Sequence, residues 1–308
     1  MNSRFKENIF TPILVIVILL LVVAMNFIPT EAVGIEDNPY LAAVVIQLVS
    51  YGIPALFYAR LRGKKLTPSL NLRFVRPSHV LFLVMSAVFL LTGTVLVSMV
   101  MYKIAPAAFE TSAVSEYASF AMNGRFFDGL YLVVAFAVLP AITEEFVFRG
   151  IVLGEYRGRG ALFASVVSAA MFSMAHFSFV RFPVYFFSGL VLCLVTFATR
   201  SVVAAMIIHT LNNAFVLLCE KYVINAVDRQ NVSLPLLIII VGALCLVSCM
   251  LMLFEAHTIY RRYAEENVPS DYAAVKKKGH FARVAETFFS PTFLILVILY
   301  IVACLITA

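Results

Sequence analysis

Two adjacent carboxylates and an arginine, Glu144, Glu145 and Arg149, stand inside a stretch otherwise suited to lipid, residues 139–150 reading LPAITEEFVFRG. An ionisable side chain at the bilayer centre costs at least ~2.5–3.5 kcal/mol, so such groups face a protein interior and mark function. Two later apolar stretches supply partners: His176 in MFSMAHF, then His209 and Asn213 in IIHTLNN. A carboxylate can take a proton from a water that a neighbouring imidazole helps to polarise. A second imidazole and an amide can offer N–H donors to the oxyanion of a tetrahedral intermediate, one such donor being worth ~2.7–4 kcal/mol. Glu144 and His176 for the water, with His209 and Asn213 for the oxyanion, suit hydrolysis of a peptide bond. No Ser or Cys stands out as an activated nucleophile, which favours direct attack by water over a covalent intermediate.

These residues need helices to position them. Glu145 and Arg149 are four apart, as are Phe172 and His176, and His209 and Asn213, so each pair shares one helix face. A Glu–Arg pair at that spacing neutralises two charges in an apolar helix, which gives Glu145 and Arg149 a supporting role and leaves Glu144 for chemistry. The glycines of residues 154–160, GEYRGRG, predict a tight turn between antiparallel helices. Glu144 and His176 are equally far from Gly160, ~24 Å along each helix, so antiparallel packing brings them to one depth.

Composition sets the solvent. The chain has 308 residues, 62% hydrophobic and 13% charged, against about a quarter charged in a soluble domain, so it reads as an integral, multi-pass membrane protein. The expected fold is all-α: a polytopic transmembrane bundle of about nine spans, with eight as the alternative. The spans fall near 11–28, 40–60, 78–103, 128–154, 161–180, 183–199, 201–220, 233–256 and 290–307, that at 183–199 being short for a crossing. Basic residues gather on alternate loops, as with Arg60, Arg62, Lys64 and Lys65, then Arg157 and Arg159, then Arg261 and Arg262, which places the N-terminus in the cytoplasm. The net charge of +6 is spread through these loops and does not indicate nucleic acid. Residues 104–127 suit a short helix on the outer membrane surface, and Lys276–Lys278 suit contact with anionic lipid. Cys193, Cys219, Cys245, Cys249 and Cys304 all lie in apolar stretches and read as small hydrophobes. His79, His257 and His280 read as surface residues, Asn212 as a packing residue, and Arg181 with Phe182 and Pro183 as a turn.

Taken together, Glu144-Glu145-x-x-x-Arg149, Phe172-x-x-x-His176 and His209-x-x-x-Asn213 resemble the three motifs of the CAAX prenyl endopeptidase and bacteriocin-processing family, also called the Abi family. They occur in order on successive segments, and no motif position departs from the pattern. The resemblance covers roughly residues 125–222, which it implies are the catalytic core. Residues 1–124 then form an N-terminal set of transmembrane helices with an amphipathic loop, and 223–308 a C-terminal set with a basic cytoplasmic loop. It implies that Glu144 is the general base on the catalytic water, assisted by His176, and that His209 and Asn213 form the oxyanion hole. It also implies that Glu145, Arg149 and Phe172 support them. The expected activity is endopeptidase cleavage of a membrane-associated or lipidated peptide or protein.

Three other readings compete. Glu144, His176 and His209 could hold a zinc ion with one open position, although there is no HExxH helix and Asn213 suits an oxyanion better; no cofactor is expected on that balance. Intramembrane carboxylates and histidines also build proton-coupled transporters, but no repeat symmetry accompanies these. A non-catalytic immunity-type membrane protein would keep the fold with eroded motifs, and none is eroded.

Overall fold

The computed structural model describes residues 3–28, 39–63, 71–106, 126–228, 233–269 and 285–307, and every regular element among these is helical. The chain is an all-α polytopic bundle. Helix α1 is Ser3–Asn26, α2 covers 39–62, α3 is Val80–Ile104, and α4 covers 126–156. There follow α5 (Ala161–Met174), α6 (Phe182–Thr199), α7 (Val202–Asp228), α8 (Leu234–Glu265) and α9 (Pro291–Thr307). Among the described residues, α1 to α4 and α6 to α8 are long and apolar enough to cross a membrane, while α5 and α9 are shorter apolar helices. Leu56, Phe57, Ile239, Leu246 and Leu305 are each more than half exposed, as lipid-facing side chains would be. The expected surface helix falls almost wholly outside the described residues, as does Lys276–Lys278.

Two of the long helices are not uniform. α2 widens into a π-helical stretch at Leu48–Gly52 and α4 does so at Val134–Val138. Each stretch precedes a proline, Pro54 and Pro140. Proline has no N–H, and its ring crowds the carbonyl four residues back, here that of Ser50 or Phe136, so the turn opens to relieve the clash. A third π stretch, Phe146–Val152, follows Glu145 directly.

α1 packs along α9, α5 along α6, and α3 along α8, while α7 lies against the middle of α4. These pairings build two apolar cores. One joins Leu14, Ile18, Tyr51, Phe148, Ile151, Val167 and Leu296 from α1, α2, α4, α5 and α9. The other joins Phe82, Leu90, Val195, Ile208, Met252 and Ile259 from α3, α6, α7 and α8. α6 serves both, through Cys193 on one side and Leu192 on the other. α6 is the most deeply buried of the seven long helices, one surrounded by protein rather than lipid. Glycine permits its closest approach: a Cβ on Gly189 would sit 2.7 Å from that of Ala169 on α5. At one end of the bundle Arg62 grips Glu155 with two hydrogen bonds, 2.7 and 3.0 Å, tying α2 to the end of α4.

Three expectations need correction. α5 ends at Met174 rather than near 180, because Phe177 adopts a left-handed φ of 50° and turns the chain. α8 continues past 256 to Glu265, its charged last turns remaining helical. His79 is not a surface residue: it is 3% exposed and meets the ring of Tyr263 edge-on at 6.2 Å.

Candidate active site

Glu144 and Glu145 end the α-helical stretch Leu139–Glu145, between two π stretches of α4. Adjacent helical positions point about 100° apart, so the two carboxylates enter different surroundings. Glu145 is fully buried, and its Oε1 accepts hydrogen bonds from Arg149 Nη1 at 2.6 Å and His209 Nδ1 at 2.8 Å. Arg149 extends the chain: Nη2 donates to the carbonyl of Gly189 at 3.1 Å, and its guanidinium carbon stands 4.6 Å from the centre of the Phe172 ring. Glu145 Oε2 and Arg149 Nε are buried with no hydrogen-bond partner among the described residues. The pair is thus a bracket between α4, α6 and α7. Charge attraction in this dry setting is strong, and each ion neutralises the other.

Glu144 instead faces a cavity of about 430 Å³, within the range of a small-ligand site. Its Oε2 lies 3.9 Å from His176 Nε2 and 4.0 Å from His209 Nε2. Both separations exceed a direct hydrogen bond and match what a bridging water spans.

His176 sits beyond the end of α5, in the turn that Phe177 completes. Its Nδ1 is 2.8 Å from the carbonyl of Phe172, one of the carbonyls that a helix C-terminus leaves without a backbone partner. A carbonyl only accepts, so Nδ1 carries the hydrogen, and a neutral ring presents its Nε2 lone pair towards Glu144. Tyr185 of α6 stacks on the imidazole, ring centres 3.8 Å apart. Phe172 joins the two histidines, its ring 4.7 Å from that of His176 and 5.6 Å from that of His209.

His209, oriented by Glu145, shares a face of α7 with Asn213, and both line the cavity. Asn213 Nδ2 is 3.5 Å from the carbonyl of Ala137, in the π stretch before Pro140. Because His209 Nδ1 donates to a carboxylate, Nε2 can donate to an oxyanion only when the ring carries both protons, a cation that Glu145 is placed to neutralise. Asn212 lines the same cavity beside Asn213 and accepts a 3.3 Å bond from Thr94 on α3.

All seven motif residues converge here, yet the enclosure is wider than the motifs indicate. α3 contributes Val95, Met99 and Tyr102 to the cavity wall, and α6 contributes Val184, Tyr185 and Ser188. Arg181, expected only at a turn, also lines it. Gln47, from α2, reaches Glu144 itself, with Nε2 3.3 Å from Oε1. A single glutamine in an apolar span carries no motif, and its contact crosses 97 positions, so only the Gln-in-lipid anomaly could have drawn notice. As ligands for zinc, Glu144, His176 and His209 would need donor atoms ~3.3–3.5 Å apart, given bonds of ~2.0–2.2 Å. The separations from Glu144 are longer, and among the described residues no three His, Cys, Asp or Glu side chains form a metal-holding group.

Residues 126–215, which carry all three motifs, match the family model for type II CAAX prenyl endopeptidases, Rce1-like. That segment is similar to the CAAX prenyl endopeptidase family. A curated relative agrees: the membrane-embedded CAAX protease MroQ of Staphylococcus aureus (strain USA300) is 32% identical over 91 residues. This alignment covers 27% of the present chain and 37% of the relative's length. No solved structure matches. The matched segment supplies α4 to α6 and the first half of α7, and hence every motif residue. Gln47 and the α3 wall lie outside it.

Proposed function

We propose that this chain is a CAAX-type endopeptidase working inside the membrane, with Glu144 as general base. The observation that carries the reading is the meeting of Glu144 Oε2 with two imidazole Nε2 atoms at 3.9 and 4.0 Å on the wall of a largely apolar cavity. A water held between Glu144 and His176 attacks the scissile carbonyl. Its oxygen bonds to the carbon as Glu144 takes one proton. The C–N bond then breaks, and that proton passes to the leaving amine. His209 Nε2 and the amide of Asn213 donate to the oxyanion, where each donor is worth ~2.7–4 kcal/mol. Glu145 and Arg149 hold His209 in place and Phe172 packs between the imidazoles. Residues 125–222 form the catalytic core, flanked by helices that set it in the bilayer, with the N-terminus cytoplasmic. The substrate is a membrane-associated polypeptide, and the apolar walls suit aliphatic side chains or a lipid group near its cleavage site. The chemistry uses no metal.

The test compares the wild type with Glu144→Gln, reconstituted in lipid vesicles, on an internally quenched farnesylated peptide ending in a CAAX sequence. The termini of membrane proteins in cells carrying each form are compared in parallel. Loss of general-base catalysis lowers turnover ~10²–10⁴-fold. A terminus dependent on Glu144 names a substrate candidate. Equal cleavage by a well-folded variant, with identical cellular termini, refutes the proposal.

A further inference from the structure

Glu144 has two oxygens, and a base that works on one defined water needs one of them aimed. The terminal torsion of a glutamate is broad and roughly two-fold, so α4 alone does not fix which oxygen faces the histidines. The amide of Gln47 does. Its Nε2 donates to Thr143 Oγ1 at 2.7 Å and to Glu144 Oε1 at 3.3 Å, which commits both amide hydrogens. The amide's own orientation is set in turn. The Thr143 hydroxyl is 3.0 Å from the carbonyl of Leu139 and donates its only hydrogen to its own helix. Its oxygen can therefore only accept from Gln47, and the NH₂ end must face α4. A relay results, from the Leu139 carbonyl through Thr143 and Gln47 to Glu144 Oε1. Oε2 is left towards His176 and His209.

The position of Gln47 has a local cause. It is the last α-helical residue before the π stretch Leu48–Gly52, which Pro54 enforces. There α2 changes from one helical phase to another, and Gln47 and the buried Tyr51 both come to face the core side. Gln47 lies outside the 126–215 segment.

We infer that Gln47 is a positioning residue for the Glu144 carboxylate, so that the site is completed by a helix outside the matched segment. This rests on the role proposed for Glu144. Gln47→Leu keeps similar bulk and removes both donors; Thr143→Val removes the acceptor that orients the amide. In vesicles, with the farnesylated quenched peptide, Gln47→Leu lowers kcat about tenfold, leaves KM within about twofold, and displaces the acid limb of the kcat–pH profile. Thr143→Val moves the same quantities in the same sense by a smaller factor. Wild-type kcat and pH profile in Gln47→Leu overturn the inference. So does a loss of kcat that follows a loss of thermal stability with an unmoved profile, since that is packing alone. If the wild type and Glu144→Gln behave alike on the peptide, the proposed function fails and Gln47 is judged by infrared spectroscopy. The difference between wild type and Glu144→Gln isolates the Glu144 carboxyl band. A shift of that band in Gln47→Leu supports the contact, and an unshifted band overturns it.

Discussion

Substituting Gly189 by alanine tests the whole bracket behind His209 without touching a motif residue. Gly189 contributes only a carbonyl to the site, 3.1 Å from Arg149 Nη2. It lies where α6 crosses α5 so closely that an added Cβ would meet Ala169 Cβ at 2.7 Å and Cα at 2.8 Å. Carbon atoms rest at ~3.5–4.0 Å, so the helices must part by roughly 1 Å, and because one clash is with backbone no rotamer change relieves it. Overpacking of this kind costs ~1–3 kcal/mol. The same displacement stretches a 3.1 Å hydrogen bond towards 4 Å and releases one arm of Arg149. That loosens Glu145 and then His209, bound to it at 2.8 Å. A misplacement of ~1 Å in a catalytic site costs about 10²-fold in turnover. Gly189→Ala should therefore unfold earlier on heating and turn over the farnesylated peptide about a hundredfold more slowly. Adding Ala169→Gly removes the nearer of the two clashing carbons and should restore part of both properties. The double-mutant cycle then gives a coupling energy of the sign that relief of strain requires. A Gly189→Ala protein with wild-type turnover, or losses that Ala169→Gly leaves untouched, would refute this account of how α6 supports the site.

The two glutamates should separate by stability. Glu145→Gln leaves Arg149 buried without its counter-charge, a loss of ~3–5 kcal/mol, whereas Glu144→Gln keeps the fold and loses turnover; thermal unfolding of both in one detergent distinguishes them. Under the proposed mechanism His209 and Asn213 act on the oxyanion, so His209→Ala and Asn213→Ala should lower kcat by ~10²–10³ with little change in KM, and losses confined to KM would contradict the assignment. Chelators should leave turnover unchanged, and inactivation that added zinc reverses would move Glu144, His176 and His209 into the role of metal ligands.

Much of the site was legible because lipid makes polar residues conspicuous. Glu144, Glu145 and Arg149 stood out against Leu139, Phe146, Val147 and Phe148. The four-residue spacings then grouped the remaining motif residues, and equal distances from Gly160 put Glu144 level with His176. That estimate treated both helices as regular, and neither is. α4 has two π stretches, and α5 stops before His176. The continuation of apolar residues through Phe177 and Phe179 hid that stop, because hydropathy reads an apolar turn as more span. His79 was misread for a related reason. It adjoins Arg76 and Pro77 in sequence, but Tyr263, reached only because α8 outlasts its apolar run, covers it.

The departures from regular helix are also what make the arrangement work. The π stretch at Val134–Val138 lies where Asn213 approaches the Ala137 carbonyl. The stretch at Leu48–Gly52 begins directly after Gln47, the residue that holds Glu144. The end of α5 frees the Phe172 carbonyl that fixes the His176 tautomer. In each case a polar group at or beside an irregular stretch of helix contacts a residue of the site. Pro54 and Pro140, unremarkable in a hydropathy profile, set two of these three irregularities. A helical bundle with the same motif residues on regular helices would carry the reacting groups and lack the contacts that aim them.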